Sequence, residues 1–202
     1  MKKFSLALMA ALLAACAGSV HQGPPATVYD FGLPAARLVV DGQGSRVALD
    51  VKAPSWFDSS DIEYRLAYDD PLKLREYAGS RWAGAPALLL GQRLRQQLGV
   101  PGGSSNVAVD CLLRVDLQEF SQVFDSPQHS RGVLQGSVAL LGAKRQMLAE
   151  RLLTIEQPAA TPDARGGVMA LVVASDEAGK ELVAWLDRLE QSGELKSCRN
   201  GK

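Results

Sequence analysis

From Val107 to Gln118 the chain alternates between apolar and polar residues over a longer stretch than anywhere else. Val107, Val109, Cys111, Leu113, Val115 and Leu117 fall on one side, and Ala108, Asp110, Arg114, Asp116 and Gln118 on the other; Leu112 is the exception. Side chains of a strand alternate between two faces, so this run predicts a long strand with one packed face and one wet face. Such strands belong to antiparallel sheets whose second face meets solvent. A chain built around one must bury the apolar face against something, and its other segments supply the cover.

Shorter strands precede it. Val28–Gly32 reads as a first strand. Val47, Leu49 and Val51 alternate with Ala48, Asp50 and Lys52 until Ala53-Pro54 stops the pattern. Ile62, Tyr64, Leu66 and Tyr68 repeat it, with Glu63, Arg65 and Ala67 facing away. Asp69-Asp70-Pro71 is a turn signal, followed by a short strand over Leu72–Tyr77. Pro86 then suits a first helical turn, where its missing N–H costs nothing. Ala87, Leu90, Leu94 and Leu98 share one face of that helix, with Arg93 and its polar neighbours mostly elsewhere, and Gly99 ends it. After the long strand a polar loop is expected at 125–131, a second strand over Val133–Leu141, a compact turn at Gly142-Ala143-Lys144 and a third strand over Gln146–Glu156, the last two forming an antiparallel hairpin. Thr161 is placed to cap a long helix with Pro162 at its first position. Leu171, Ser175, Ala178, Leu182, Trp185 and Leu189 make that helix's buried stripe. The order strands, helix, strands, helix predicts an α+β fold, a largely antiparallel sheet with two main helices packed on one face.

The amino terminus is of a different kind. Lys2 and Lys3 precede an apolar run from Phe4 to Leu13. Ten helical residues span roughly 15 Å, about half of a bilayer core, so the run is an export signal rather than a membrane span. Leu13-Ala14-Ala15-Cys16 follows and resembles the bacterial lipobox, in which the Cys thiol takes a diacylglycerol and the freed amine is acylated. A plain secretory signal cut after Ala15 is the other reading. On the first, residues 1–15 are a signal peptide, Cys16 is the lipid attachment site, and 16–27 form a lipidated tether. More than one acyl chain holds a protein on a bilayer firmly, where a single chain holds only marginally. Residue 17 is Ala rather than Asp, which by resemblance to lipoprotein sorting in diderm bacteria sends the chain to the outer membrane, facing the periplasm. The tether's eleven residues after Cys16 reach roughly 35–40 Å when extended. Residues 28–202 then form a single domain.

Composition narrows the chemistry. The 202 residues carry 22 basic and 22 acidic side chains, and nucleic-acid binders usually show a basic excess. With 2 histidines and 3 cysteines, little material exists for a metal centre. His21 lies in the tether. His129 lies among turn formers, Ser126-Pro127-Gln128-His129-Ser130, where its adjacency to Ser130 sets no triad geometry. Asp69 and Asp70 point apart at a strand end. Gly99–Gly103 lacks the lysine of a phosphate loop and leads into a strand. No catalytic set, cofactor motif or metal-ligand spacing is expected. Cys111 and Cys198 remain as an even pair in an oxidising compartment once Cys16 is acylated. Either they form a disulfide, which by closing about 88 residues of chain would contribute about 4–5 kcal/mol, or they stand as separate thiols. Trp56-Phe57, in a strand connection, either meets a partner or lipid, or plugs the end of the core.

Several stretches together resemble one family: Ala53-Pro54-Ser55-Trp56-Phe57-Asp58; Ile62-Glu63-Tyr64-Arg65-Leu66; Leu74–Ala83 with Tyr77 and Arg81-Trp82-Ala83; Pro86 and its helix; and Gly166-Gly167-Val168 opening a helix that contains Trp185. The chain resembles the ABC-type transport auxiliary lipoproteins, the family of paraquat-inducible protein C and its YmbA-like relatives. The resemblance implies a non-enzymatic outer-membrane lipoprotein. Its partners would be an MCE-domain protein of the inner membrane and the associated ABC transporter, which together move lipid between the membranes. It suggests a ring of copies of the chain. Only Cys16 carries over as a defined functional position. An assembly lipoprotein of another envelope machine and a periplasmic lipoprotein hydrolase are the alternatives.

Overall fold

The computed structural model describes residues 25–33, 36–38, 47–103 and 109–198. Cys16, the expected signal peptide at 1–15, most of the expected tether and Val107-Ala108 lie outside them. Seven strands form one sheet: β1 (Thr27–Tyr29), β2 (Val47–Lys52), β3 (Asp61–Leu66), β4 (Asp70–Trp82), β5 (Cys111–Ser126), β6 (His129–Leu141) and β7 (Met147–Pro158). Two helices, α1 (Pro86–Leu98) and α2 (Ala164–Ser192), follow β4 and β7, and short 3-10 turns occupy Ser55–Phe57 and Glu194–Cys198. The sheet order is β1-β4-β3-β5-β6-β7, with β2 also paired to β5. The long ladders β3–β4, β5–β6 and β6–β7 are antiparallel. The fold is thus α+β, a mixed but mostly antiparallel sheet in the order strands, helix, strands, helix.

Parallel pairs appear where sequence patterning is silent. β2 runs parallel to Cys111–Asp116, and β3 runs parallel to Gln122–Phe124 further along the same strand. One strand of 16 residues therefore has two short neighbours end to end on one side. β1 adds to β4 in parallel at the sheet edge.

β5 itself explains why its alternation stops at Gln118. Leu117 pairs with Gly136 and Glu119 with Gln135, so one extra residue sits on β5 as a bulge. Before it the core face is Cys111, Leu113, Val115 and Leu117; after it the core face passes to Phe120, Gln122 and Phe124. Leu112, the exception to the alternation, packs on the opposite face in a small cluster with Ala48, Ala139 and Leu141.

Three other elements differ from expectation. β4 runs 13 residues to Trp82. The loop expected at 125–131 contracts to the turn Ser126–His129, because Phe124 pairs with Ser130 and Val123 with Arg131. Asp163, not Thr161, caps α2: its carboxylate accepts the Gly166 N–H at 2.7 Å, and the Thr161 hydroxyl donates to the same oxygen. A carboxylate at a helix N-terminus also meets the positive end of the macrodipole, which outbids a hydroxyl.

Both helices share one core with the sheet. The expected stripe of α2 is buried along its length, as are Ala87, Leu90, Leu94 and Leu98 of α1. Gly99 closes α1 in the left-handed region at φ 64°. α2 approaches β6 so closely that a Cβ on Gly132 would sit 2.8 Å from the Leu171 nitrogen. Phe31, Trp82 and Phe120 pack ring against ring at one end of the core. Phe57 is buried as part of the core. No described helix is long and apolar enough to cross a membrane.

Candidate functional site

Cys111, at the start of β5, and Cys198, in the final 3-10 turn, are joined as a disulfide with Cα atoms 5.3 Å apart. Both are buried, and Leu195 packs into the core beside the bridge. The segment after α2 is therefore packed against the sheet, not left as a loose tail. Cys16 lies outside the described residues.

The tight β5–β6 turn gathers the only histidine of the body. Ser126 Oγ lies 3.1 Å from His129 Nδ1 and accepts the His129 backbone N–H at 3.2 Å. A serine bonded to the residue three ahead is what a turn of this kind uses to satisfy its own backbone. A recess of about 390 Å³ beside it includes Asp125, Arg131 and Glu156. Arg131 bonds Asp125 and lies 3.0 Å from Glu156, so both carboxylates are held by the guanidinium. Ser130 points inward from β6 instead. Its hydroxyl accepts Gln122 Nε2 at 2.7 Å, while Gln122 Oε1 accepts the Tyr77 hydroxyl at 2.8 Å. Burial, with Tyr64 alongside, pushes the Tyr77 phenol well above its usual range. Gly167 leaves room for Gln122 at the start of α2. This chain of polar groups ties β4, β5 and β6 together beneath the helix.

A second polar group fastens the helices. Arg93 of α1 makes a bidentate bond to Asp176 of α2 at 2.7 and 2.9 Å, and Gln97 donates to the same carboxylate at 2.9 Å. Arg93 also donates to the Phe31 and Leu33 carbonyls, clamping the chain after β1. The bond to Asp176 holds the Arg93 pKa above its ordinary value. Sequence placed Arg93 mostly off the buried face. Its stem follows that face while its head finds an acid 83 residues away, which no local pattern can signal.

The sheet face opposite the helices carries two features. At one end Leu112 and Leu141 of the small apolar cluster line a recess of about 450 Å³ together with Asp50, Lys52, Arg114 and Arg145. At the other end stands Glu63, expected to face solvent yet only 8% exposed. Burial first, then Glu119, push its pKa up to about 7, against the pull of Arg65. Arg65 bonds both Glu119 oxygens at 3.0 and 3.3 Å. Among the described residues, no group of three or more His, Cys, Asp and Glu side chains is arranged to hold a metal ion.

The same fold occurs in solved structures. Protein XCC0632 from Xanthomonas campestris, of the DUF330 family model, superposes with a TM-score of 0.66 at 20% identity, over 83% of this chain and 98% of that one. DUF330 is the ABC-type transport auxiliary lipoprotein family. An uncharacterized protein superposes with a TM-score of 0.62 at 16% identity, over 81% of this chain and 99% of that one. No family model and no curated protein matches the sequence itself. The chain thus has a DUF330-like fold.

Proposed function

We propose that this chain is an outer-membrane lipoprotein subunit of an MCE/ABC-type intermembrane lipid transport system, acting as a docking or bridging component without catalysing a reaction. The observation that carries the reading is the DUF330-like fold over nearly the whole of the matched chain. The Leu13-Ala14-Ala15-Cys16 run supports it independently, because its resemblance to a lipobox rests on the sequence and not on that fold. The lipid anchor would hold the body at the outer-membrane surface, and the tether would confine its search for a partner to a thin shell, raising the effective concentration. The hydrolase alternative would need His129 to act as a base, and the groups around His129 serve the turn and Arg131 instead.

The decisive experiment isolates the native lipoprotein from membranes and identifies what comes with it. An MCE-domain protein and its ABC transporter are expected. Recovery of an outer-membrane assembly machine in their place would move the chain to the assembly-lipoprotein alternative. In parallel, a fatty-acid probe should label the wild type and not Cys16→Ser. His129→Ala should leave the envelope barrier intact; a folded His129→Ala protein without cellular activity would restore the hydrolase reading.

A further inference from the structure

The tip of the β3–β4 hairpin carries two exposed apolar side chains, Leu72 at 89% and Tyr68 at 47%. Single exposed leucines are common on protein surfaces. Leu72 differs in how it is held. Leu66 stands across from Asp70 and Arg65 across from Leu74, so Pro71, Leu72 and Lys73 have no partner on β3 and bulge out of the ladder. The bulge is braced on each side. Arg65 donates to the Pro71 carbonyl at 3.4 Å, the Leu72 N–H donates to Asp70 Oδ1 at 3.1 Å, and Arg75 donates to Asp69 at 2.8 Å. The tip's charges balance, Asp69 and Asp70 against Lys73 and Arg75. The β5–β6 turn lies at the same end of the sheet, since Leu66 is across from Phe124. Its nearest charges, Asp125 and Arg131, are bonded to each other.

The direction of β1 says what this tip can meet. β1 runs parallel to β4, with Thr27 across from Ser80, so the chain before Thr27 leaves β1 toward the start of β4, where the tip lies. Leu72 is eight residues back from Ser80, about 25 Å along the strand. Cys16 is eleven residues back from Thr27, which reach roughly 35–40 Å when extended. A lipid on Cys16 can therefore lie level with the tip and somewhat beyond it. We propose that the β3–β4 tip is a wedge that enters the surface of the bilayer to which Cys16 is anchored. Leu72 would sit among the acyl chains and the Tyr68 ring at headgroup level, as amphipathic aromatic rings do. Lys73, exposed beside Leu72, can turn its ammonium back to the phosphates. A neutral tip needs no anionic lipid, so a zwitterionic bilayer suffices. The wedge would give the tethered body one orientation on the membrane. The inference rests on the lipid anchor of the proposed function, and the experiment below supplies that anchor chemically, so the two fail separately.

The test couples the thiol of Cys16, in the chain from Cys16 to Lys202, to a maleimide-bearing phosphatidylethanolamine. Cys111 and Cys198 are bonded to each other and do not compete. The product is placed in phosphatidylcholine vesicles carrying a phosphatidylcholine with a diazirine on its acyl chain. After illumination, a tryptic digest is read by mass spectrometry. Cleavage after Arg65 and Lys73 releases Leu66–Lys73, which holds both tip residues, and cleavage after Arg145 and Arg151 releases Gln146–Arg151, which holds the 53% exposed Met147 at the opposite end of the sheet. The tip peptide should carry about tenfold more lipid label than the control peptide, the preference of one leucyl side chain for apolar surroundings. Leu72→Asp, which touches no core residue, should bring it down to the control. Equal labelling of the two peptides, or tip labelling unchanged by Leu72→Asp, would overturn the proposal. Whether the cell acylates Cys16 is decided by the fatty-acid probe and does not enter this result.

Discussion

Replacing Asp176 by Ala isolates what holds the two helices together. Arg93 and Asp176 side chains are 10% and 33% exposed, so the guanidinium is the more buried partner. Without the carboxylate, Arg93 keeps only the Phe31 and Leu33 carbonyls, and the Gln97 amide loses its acceptor. Removing one partner of a buried ion pair costs about 3–5 kcal/mol. Water can reach the cavity left by a one-third exposed residue, which trims the expected loss to about 2–4 kcal/mol. For a domain of this size each kcal/mol moves Tm by about 2–4 °C, so Tm should fall by about 5–15 °C. Thermal and urea unfolding followed by circular dichroism at neutral pH measure it. The double variant Arg93→Leu/Asp176→Leu should recover much of the loss, because an apolar pair leaves no buried charge behind. If Asp176→Ala costs under about 1 kcal/mol, or the double variant is worse than Asp176→Ala alone, the buried-charge argument is wrong.

Glu63 makes the stability depend on pH with a defined sign. Its folded pKa of about 7 lies above the ordinary 4.5, so the folded state holds the proton more tightly than the unfolded one. The slope of stability is then negative between those values. Raising the pH from 4.5 through 7 should remove up to about 3 kcal/mol, and urea midpoints of Glu63→Gln should lack that decline. Asp163→Ala removes the cap of α2 and should lower stability by about 0.5–2 kcal/mol in the same assay. Gly132→Val drives a side chain into the α2 backbone and should cost about 1–3 kcal/mol, read as a lower Tm. An unreduced digest should give the Cys111 and Cys198 peptides joined by mass spectrometry, and Cys198→Ala should lower Tm without abolishing the fold; two alkylatable thiols in exported protein would contradict the bridge.

What the sequence determined by itself is local and periodic. The alternation through Cys111, Leu113, Val115 and Leu117 requires a strand with one apolar face, whatever that face meets. Pro86 and Gly99 bound α1 through backbone geometry alone, and the stripe from Leu171 to Leu189 dictates which side of α2 is buried. Cys111 and Cys198 were legible as a candidate pair from the parity of thiols that remains if Cys16 is set aside as the expected lipid site. Tertiary structure decided what depends on distant neighbours. Strand pairing leaves no periodic mark, so the parallel placement of β2 and β3 along β5 was invisible. The Gln118 bulge exchanges the two faces of β5, which is why the pattern ended before the strand did. Asp163 took the cap from Thr161 because a carboxylate aimed at free N–H groups binds them more strongly than a hydroxyl. Arg93 and Glu63 look like surface charges in the sequence. Their burial arises from Asp176 on another helix in the first case and from packed strands carrying Glu76 and Glu119 in the second. A charge is inside or outside only once the rest of the chain has come to rest around it.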